Sequence, residues 1–393
     1  MAQVSRHPGG FPVVGIIGGG QLARMCQPPA VGLSISLAVL AESAEASAAL
    51  VVPGSPVGAH DDVEAVRAFA QHCDVVTFDH EHVPETVLAA LEADGVVVLP
   101  GREALRHAQD KLVMRERLTA LGVRCPRWAR VESTEDLQAF ADDVGGFPVV
   151  LKTPRGGYDG TGVRIVDSAE EASDWFERAT DGLLAEEKVA FTRELSVLIA
   201  RSPSGQAAAW PVVETVQTGG ICTEVIAPAP DLDDDLAAEI TEAALRIAGD
   251  LDVTGVMAVE VFEVAGDRPG YVVNELAMRP HNSGHWTIDG AVTSQFEQHL
   301  RAVLDLPLGD PTARAPWTVM GNVLGGDRPE DAELYTTYRH LFARDPGLKM
   351  HLYGKEVLPG RKIGHVTVCG DDLPALRERA QHAAGYLRGT VRE

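Results

Sequence analysis

The sequence lacks the features of a membrane-spanning, secreted or disulfide-stabilised protein. It contains no run of 18 apolar residues that would form a transmembrane helix, and no apolar signal segment near its N-terminus. Its five cysteines, at positions 26, 73, 125, 222 and 369, are widely spaced and include no C-x-x-C pair. This arrangement predicts a reducing compartment and no structural zinc site. We therefore expect a soluble, cytoplasmic protein.

Basic residues are scarce. The chain has 34 Lys and Arg residues against 57 Asp and Glu residues, which gives a net charge of −23. Because a body this acidic does not attract nucleic acid or an anionic membrane, neither is expected as a partner. A local basic pocket for a small anionic substrate is compatible with this composition.

At 393 residues, the chain is long enough for two or three domains. The first 100 residues alternate apolar runs with helical segments, which predicts a parallel sheet covered by helices on both faces. The expected strands here are 13–17, 35–40, 75–78 and 96–99, and the expected helices begin at Gln21 and cover 62–72 and 84–93. Because proline lacks an N–H and clashes with the preceding helical turn, Pro28-Pro29 should end or restart the first helix.

The rest of the chain mixes strands and helices. We expect helices at 110–121, 134–143, 231–249 and 294–304, and a last one from Pro374. We expect strands at 128–131, 148–152, 163–166, 183–189, 194–200, 257–264 and 271–276. The proline-rich segment 307–316 is interpreted as a linker to a C-terminal unit.

The segment Gly18-x-Gly20-x-x-Ala23 follows the first strand and opens a helix, and Glu42 lies at the end of the next strand. This spacing satisfies the dinucleotide-binding fingerprint, in which glycines let the backbone approach an anion at a helix N-terminus. No acid/base constellation for hydride transfer is recognisable downstream. An NAD(P)-dependent oxidoreductase or a nucleotide-sensing protein is therefore kept as a minor alternative, beside simple packing of the glycines between helix and sheet.

Glu260 and Glu275 lie in adjacent predicted strands at equal distances from the middle of the turn 266–269. In a simple hairpin they would be directly opposite each other on one face. Like charges in that position repel, so a bound cation explains them better than two solvated carboxylates. Mg²⁺ prefers carboxylate oxygens together with nucleotide phosphates, and Asn274 adds a neighbouring oxygen. The pair therefore predicts a magnesium–nucleotide site.

Lys152 ends a predicted strand, and the glycine-rich loop 155–162 that follows is expected to be the tip of a hairpin. A lysine and the backbone N–H groups of such a loop are suited to holding phosphates. The segment 186–189 is predicted to be a strand edge that pairs with adenine, with Glu194 accepting ribose hydroxyls. A solvated run of charges is the simpler alternative for this segment.

Two further clusters carry charge or hydrogen-bonding groups. Arg279, His281 and Asn282 follow the predicted metal carboxylate within a few residues, where they could stabilise a phosphoryl group in transfer. Lys355, Arg361 and Lys362 concentrate positive charge on an acidic protein. A phosphate-bearing substrate would explain this second cluster, and a solvated surface patch is the alternative.

Taken in this order, the segments resemble the ATP-grasp superfamily and, within it, the N5-carboxyaminoimidazole ribonucleotide synthetases of purine biosynthesis. The resemblance covers residues from about 13 to about 385 and rests on GGGQLARM (18–25), GGYDGTG (156–162), NELAMRPHNSGHWT (274–287), SQFEQHLRAV (294–303) and GRKIGH (360–365). It implies a multidomain protein of mixed α/β and α+β class, usually a homodimer. The implied domains are a Rossmann-like pre-ATP-grasp domain at 12–108, a two-lobed ATP-grasp domain at 109–308 and a small β-rich C-terminal domain at 309–393.

The resemblance implies a carbon–nitrogen ligase that carboxylates 5-aminoimidazole ribonucleotide with bicarbonate, through carboxyphosphate, at the expense of ATP. It assigns Mg²⁺, or Mn²⁺, to Glu260 and Glu275, and the carboxyphosphate to Arg279, His281 and Asn282. It assigns ATP to His107, Lys111, Lys152, Gly157, Tyr158, Asp159, Gly160, Thr161, Gly162, Glu186, Glu187, Lys188, Val189, Glu194, Gln217, Asn274 and Glu275. It assigns the ribonucleotide to Gly20, Gln21, Leu22, Glu81, Tyr158, Asp159, Lys355, Arg361 and Lys362.

The sequence departs from the family pattern at four places. His107 replaces an expected arginine, Gln217 replaces an expected histidine, Asp79 stands where Glu-x-Glu is usual, and Met278 stands in place of proline. A sister ATP-grasp ligase or transformylase that acts on another ribonucleotide would share the ATP half. The residues predicted to hold the acceptor, 158–159 and 355–362, would distinguish the two.

Overall fold

The computed structural model describes residues 7–157, 161–266, 270–326 and 333–392. The predicted loop residues Tyr158, Asp159 and Gly160 and the turn residues 267–269 lie outside these ranges. In the described ranges, strands form sheets of three, four and nine members. The expected mixed α/β and α+β class is confirmed.

The N-terminal segment folds as a parallel sheet in the order β2-β1-β3. Its elements are β1 (Val13–Ile17), α1 (Gln21–Gly32), β2 (Ser36–Leu40), α2 (Val63–Ala70), β3 (Val75–Phe78) and α3 (Glu85–Ala93). Successive residues of β1 pack into two different cores, Val13 and Ile17 into one and Val14 and Ile16 into the other. This alternation arises because both faces of the sheet are covered.

Two expectations for this segment are wrong. Residues 96–99 do not form a strand, because only Val98 bridges to Val76 of β3. The first helix does not end at its prolines, since α1 runs through Pro28 and Pro29 to Gly32. Both prolines lie in the second half of α1, and its buried face still packs in the core that includes α10 (Gln295–Val303). This packing explains why a helix with two missing N–H donors persists.

A second sheet follows two helices, α4 (Arg102–Gln109), which the sequence analysis did not predict, and α5 (Lys111–Ala120). The Asp110 side chain caps α5 by accepting from the backbone N–H groups of Leu112 and Val113. This sheet has the order β4-β7-β5-β6. Its elements are β4 (Trp128–Val131), α6 (Thr134–Val144), β5 (Val149–Lys152), β6 (Val163–Val166), α7 (Ser173–Phe176) and β7 (Leu183–Glu187).

The third sheet has nine strands and the order β13-β12-β8-β10-β11-β14-β16-β15, with β9 paired to β8. Its first part comprises β8 (Arg193–Arg201), β9 (Ala207–Ala209), β10 (Val213–Thr218), β11 (Ile221–Ala227), α8 (Asp234–Asp250), β12 (Gly255–Glu263), β13 (Tyr271–Ala277), α9 (Thr287–Gly290) and α10. Strands β9, β10 and β11 were not predicted from the sequence. The Gly219-Gly220 pair, with positive φ at both residues, was the available turn signal between β10 and β11.

The C-terminal segment extends this same sheet. It comprises β14 (Trp317–Leu324), α11 (Thr337–Arg344), β15 (Lys349–Leu352), β16 (Lys362–Gly370) and α12 (Leu373–Arg388). Strand β14 pairs with β11 on one side and with β16 on the other. No helix in the described ranges is both long enough and apolar enough to span a bilayer.

Candidate active site

The two glutamates predicted to oppose each other do so. Glu260 of β12 and Glu275 of β13 are paired residues in the antiparallel ladder. On the turn side of this pair the register shifts by one residue, because Val261 pairs with Val273 and Asn274 is the extra residue of a β-bulge. A regular hairpin predicts the opposition of Glu260 and Glu275 but not the bulge at Asn274.

The bulge lets the side chains of two consecutive residues, Asn274 and Glu275, each contact a lysine from another segment. Neighbours on a regular strand point to opposite faces, and a bulge can re-aim a side chain. Asn274 Oδ1 accepts a hydrogen bond of 3.1 Å from Lys152 Nζ, while Glu275 forms an ion pair with Lys111 Nζ. Two lysines from distant segments, both predicted to bind ATP, are thereby brought to one strand.

Each member of the glutamate pair has a cationic or hydrogen-bonding partner. Lys111 contacts Glu275, and His281 Nε2 lies 3.1 Å from Glu260 Oε1. Burial raises the pKa of Glu260, but the hydrogen bond and charge of His281 outweigh it, so this pKa is lowered overall. The like-charge repulsion between Glu260 and Glu275, for which a bound cation was predicted, is therefore partly offset by Lys111 and His281.

The donor set nevertheless fits Mg²⁺. Two carboxylates face each other, and both amide atoms of Asn282, the residue after His281, are buried without a hydrogen-bond partner. An amide oxygen and two carboxylates are hard ligands of the kind this cation takes. In the described ranges, no three His, Cys, Asp or Glu side chains cluster as a metal site of their own. A cation bound here would therefore also need oxygen atoms from a bound nucleotide.

Glu186 lies between two cations beside this pair. Its carboxylate is 2.5 Å from Arg115 Nε and 2.7 Å from Lys152 Nζ, and both Glu186 and Arg115 are buried. Burial alone would raise the pKa of Glu186, but the charges of Arg115 and Lys152 lower it to about 2. Arg115 was missed by the sequence analysis. Its signal was the four-residue spacing from Lys111, which places both side chains on one face of α5.

The predicted strand edge at 186–189 is wrong for Glu186. Strand β7 lies between β4 and β5, so its backbone is paired on both sides as far as Glu186, and Glu187 pairs with Val149 of β5. The Glu187 carboxylate accepts from the Arg127 backbone N–H at 2.8 Å instead of facing Lys152. Lys188 and Val189 follow the end of the strand, and pairing of adenine with the backbone of Glu187, Lys188 and Val189 stays a prediction.

Glu194 of β8 is a second carboxylate near Lys152, with the opposite behaviour. Burial and the neighbouring charge of Glu260 raise its pKa to about 7, against a smaller opposing effect of Lys152. Glu194 and Glu186 therefore differ in charge near neutral pH, although both lie beside the same lysine. The predicted role of Glu194 toward ribose stays a prediction.

The glycine-rich loop connects two paired strands, since β5 and β6 are antiparallel. Thr153 N–H donates to the Gly162 carbonyl at 2.9 Å, which closes the base of the hairpin. Gly162 has a φ of +77°, and a Cβ there would lie 2.4 Å from Thr153 Oγ1, so no other residue fits. Gly157 and Thr161 face each other across the loop, because a Cβ on Gly157 would lie 2.5 Å from the Thr161 carbonyl oxygen.

Arg279 and Glu81 join the ATP half of the site to the N-terminal segment. Arg279 Nε lies 2.7 Å from Glu81 Oε2, and the Met278 N–H donates to Glu81 Oε1 at 3.3 Å. Burial raises the pKa of Glu81, but Arg279 more than offsets this and lowers it. The predicted phosphoryl residue and the predicted substrate carboxylate are therefore in direct contact.

The glycine loop at residues 18–20 is already occupied by carboxylates of the chain. Glu42 accepts from the Gly19 N–H at 3.2 Å, and Asp79 accepts from the Ala23 N–H at 2.7 Å. A Cβ on Gly20 would lie 1.9 Å from Asp79 Oδ2, which explains the glycine. Because a dinucleotide phosphate would meet these negative charges, the geometry argues against the dehydrogenase alternative.

The helix that follows contributes to another contact. The Gln21 side chain accepts a hydrogen bond from Lys355 Nζ, which lies after β15, while Leu22 is buried in the core. Arg361 is part of the same connection and lies 3.9 Å from the Glu356 carboxylate. Lys362 begins β16, and its charge helps to lower the pKa of Glu260. The predicted ribonucleotide residues of the first and last segments thus meet.

Two predicted ATP residues have other surroundings. His107 Nδ1 is 3.3 Å from the Ala104 carbonyl oxygen, and the residue lines a surface depression with Arg117. Burial lowers the pKa of His107. Gln217 pairs with Cys222 beside a bulge of β11, in which Thr223 is the extra residue. These contacts do not involve the Glu260–Glu275 pair, so the ATP roles of His107 and Gln217 stay predictions.

Three family profiles match consecutive parts of the chain. They are the ribonucleotide synthetase preATP-grasp domain at residues 12–109, the ATP-grasp domain at 116–296, and the phosphoribosylaminoimidazole carboxylase C-terminal domain at 318–379. The chain is 54% identical over 379 residues to the N5-carboxyaminoimidazole ribonucleotide synthase of Mycobacterium tuberculosis, covering 96% of this chain and 88% of the relative. It is 40% identical to the Synechococcus elongatus protein of the same name, with 95% and 93% covered.

Solved structures of similar proteins agree with these matches. N5-carboxyaminoimidazole ribonucleotide synthetase from Thermus thermophilus has a TM-score of 0.85 at 38% identity, covering 95% of this chain and 98% of its own. The Aspergillus clavatus enzyme in complex with ADP and 5-aminoimidazole ribonucleotide has a TM-score of 0.86 at 31% identity, with 97% and 99% covered. Fold and site together define an ATP-grasp ligase that carries a preATP-grasp domain. More particularly, the chain belongs to the N5-carboxyaminoimidazole ribonucleotide synthase family.

Proposed function

We propose that this protein carboxylates 5-aminoimidazole ribonucleotide with bicarbonate, using ATP, in purine biosynthesis. The observation that carries the proposal is the contact between Arg279 and Glu81 at 2.7 Å. This contact places the segment that follows the nucleotide carboxylates against the N-terminal segment that holds the predicted ribonucleotide residues. A phosphorylated intermediate made on one side could then be captured on the other without crossing solvent.

On the nucleotide side, we assign Lys111 and Lys152 to the phosphates of ATP. Each lysine is held by a side chain of the β13 bulge, Lys111 by Glu275 and Lys152 by Asn274, so their ammonium groups are oriented before ATP arrives. Glu260 and Glu275 would hold Mg²⁺ or Mn²⁺, which supplies charge neutralisation at the phosphates when bound. The glycine-rich loop that follows Lys152 is proposed to bind the phosphates through its backbone N–H groups.

On the acceptor side, we assign Arg279, His281 and Asn282 to the carboxyphosphate formed when bicarbonate attacks the γ-phosphate. The guanidinium of Arg279 and the amide of Asn282 can donate hydrogen bonds to the developing negative charge. The His281 imidazole acts through Glu260, which lies 3.1 Å from its Nε2. We assign Glu81 to the exocyclic amine of the ribonucleotide, and Gln21, Lys355 and the 361–362 segment to its ribose phosphate. Positioning and charge stabilisation would carry the reaction, because none of these assigned groups is an activated nucleophile.

Release of ADP in the presence of bicarbonate, measured with and without 5-aminoimidazole ribonucleotide, tests the proposed reaction. We expect release to require bicarbonate and to be strongly stimulated by the ribonucleotide. Binding of ATP without such stimulation would retain the ATP-grasp half of the proposal and reject its acceptor. A sister ribonucleotide, such as a glycinamide ribonucleotide, is the comparison substrate.

The metal assignment is tested at Glu275. The variant Glu275→Ala should abolish ATP turnover and leave the circular dichroism spectrum intact, and removal of divalent cations by a chelator should stop the unmodified enzyme. Glu187→Ala is the matched control, since its carboxylate bonds the Arg127 backbone outside the glutamate pair. Full turnover by Glu275→Ala would remove this metal assignment.

Cytoplasmic location and homodimeric assembly complete the proposal. Both rest on the resemblance of the sequence to its family. Light scattering coupled to size-exclusion chromatography measures the assembly directly, and a mass of one chain at micromolar concentration would reject the dimer.

A further inference from the structure

The motif SQFEQHLRAV, at residues 294–303, matches the family pattern but supplies none of the assigned site residues. It contains the helix α10, which begins at Gln295 after the cap residue Ser294. Gln295 is fully buried, so its polar atoms must find partners within the protein.

Gln295 holds the backbone of His281 from both sides. The His281 N–H donates to Gln295 Oε1 at 2.8 Å, and Gln295 Nε2 donates to the His281 carbonyl at 2.8 Å. Gln295 Nε2 also lies 3.0 Å from His285 Nδ1. The two hydrogens of the amide are thus directed to two acceptors, and its oxygen receives one donor. This pattern fixes which way the amide points and makes His285 Nδ1 an acceptor.

The fixed backbone determines where the His281 ring lies. His281 Nδ1 is 2.8 Å from Ser283 Oγ, which in turn is 2.8 Å from Ser196 Oγ. The Ser283 N–H donates to the same ring nitrogen at 3.3 Å, so Nε2 carries the proton that points at Glu260, 3.1 Å away. The orientation of the ring therefore depends on a chain of bonds that begins at α10.

Gly284 shows how closely the amide is packed. A Cβ at this position would lie 2.5 Å from Gln295 Oε1 and 2.3 Å from Leu198 Cδ2. The loop between His281 and His285 can pass over Gln295 only because residue 284 has no side chain. The two hydrogen bonds between Gln295 and the His281 backbone therefore require a glycine at position 284.

We propose that Gln295 is a positioning residue for the carboxylation reaction: it holds the His281 peptide so that the imidazole ring meets Glu260. This inference rests on the proposed function, since it requires the contact between His281 and Glu260 to lie where the carboxyphosphate forms. Gln295 itself touches no substrate. Its loss should let the ring move, and a displacement of about 1 Å at a reacting centre costs on the order of 100-fold in rate.

The same helix provides a matched control. Gln298 is equally buried and clamps a backbone in the same way, with its Nε2 2.8 Å from the Gly309 carbonyl and its Oε1 2.6 Å from the Gly309 N–H. Gly309 lies outside the assigned site. Gln295→Met and Gln298→Met therefore remove equivalent hydrogen bonds from one helix, and only the first frees His281.

The experiment compares kcat, the KM for ATP and Tm for the two variants with those of the unmodified enzyme. We expect Gln295→Met to lower kcat about 100-fold with little change in the KM for ATP, since the lysines that hold ATP are untouched. Gln298→Met should lower Tm by a similar amount and keep kcat within about threefold. A Gln295→Met enzyme with normal kcat, or an equal loss of kcat in both variants, would overturn the inference.

A second variant covers the case in which Gln295→Met does not fold. Gln295→Glu has the same shape and keeps the acceptor for the His281 N–H. It replaces the Nε2 donor with a second oxygen, which faces the His281 carbonyl oxygen and cannot bond to it. It should also lose kcat more than KM. Failure of both Gln295 variants to fold, while Gln298→Met folds, would assign Gln295 to folding and reject the positioning role. Absence of ribonucleotide-stimulated turnover in the unmodified enzyme would instead reject the proposed function.

Discussion

At the scale of single residues, two carboxylates near Lys152 show how environment sets charge. Glu186 is held by Arg115 and Lys152, and its pKa falls to about 2. Glu194 is buried beside the charge of Glu260, and its pKa rises to about 7. The sequence analysis treated both as ATP contacts, because residue type alone does not reveal which of two glutamates has the cation.

The first prediction concerns Glu194→Gln. The folded-state pKa of Glu194 is raised above its ordinary value of 4.5, so its contribution to stability is present below about pH 4.5 and is lost as the pH rises through about 7. Because glutamine carries no charge at any pH, the Glu194→Gln variant does not lose this stability as the pH rises. Its Tm without nucleotide should therefore exceed that of the unmodified protein at pH 8, and the difference should disappear near pH 4. Glu242→Gln, on the exposed face of α8, removes the same charge and is the matched control.

The second prediction concerns Glu186→Gln. The folded-state pKa of Glu186 lies below 4.5, so its contribution to stability is present above about pH 4.5 and is lost as the pH falls toward about 2. Neutralising Glu186 leaves Arg115 and Lys152 buried without their anion, which costs about 3–5 kcal/mol at pH 7. Calorimetric Tm values should show a large deficit at pH 7 that shrinks in acid. Glu187→Gln is the adjacent control, and an equal deficit there would contradict this account.

At the scale of elements, the sequence predicts regular geometry and misses deviations from it. Counting residues from the turn placed Glu260 opposite Glu275, because an antiparallel ladder fixes the register. The same count could not show the bulge at Asn274, which depends on the contacts of Asn274 with Lys152 and Arg115. Helix α1 illustrates the reverse case, in which a strong local signal at Pro28 and Pro29 loses to tertiary packing.

The third prediction follows from α1. Pro28 and Pro29 leave the carbonyls of Arg24 and Met25 without their helical N–H donors. The double change Pro28→Ala and Pro29→Ala restores both donors, at the expense of a more flexible unfolded chain. We expect a net gain of about 1–2 kcal/mol, since the helix-interior penalty of proline exceeds its effect on the unfolded state. A rise in Tm with unchanged KM for the ribonucleotide would agree, and a fall in Tm would contradict the prediction.

At the scale of the whole molecule, the contacts that build the site join distant parts of the chain. Lys111 meets Glu275 across 164 residues, and Gln21 meets Lys355 across 334. Local pattern cannot predict such pairs. It singled out Glu275 and Lys355 by their charge and spacing, but their partners Lys111 and Gln21 were assigned only through family resemblance. The expected C-terminal unit likewise continues the central sheet through β14, although the predicted linker 307–316 precedes that strand.

The fourth prediction concerns removal of the C-terminal segment. A chain ending at residue 316 would expose the β11 edge now paired with β14, and would leave Glu224 without Arg377, 2.7 Å away. An open, apolar strand edge pairs readily with other chains, so this truncation should aggregate. A chain ending at Thr390, just beyond α12, should behave as the full protein does. Light scattering distinguishes the two, and a folded, dispersed protein that ends at residue 316 would refute the expectation.

The contact between Gln21 and Lys355 also bears on how the protein is made. A ribosome adds about 5–20 residues each second, so residue 355 emerges on the order of 20–70 seconds after residue 21. During that interval the nascent chain can complete its N-terminal parallel sheet, whose contacts are comparatively local. The proposed ribonucleotide end of the site cannot close until synthesis is nearly finished. A translation product interrupted before residue 355 would therefore contain the paired strands of the N-terminal sheet but no capacity to retain the ribonucleotide.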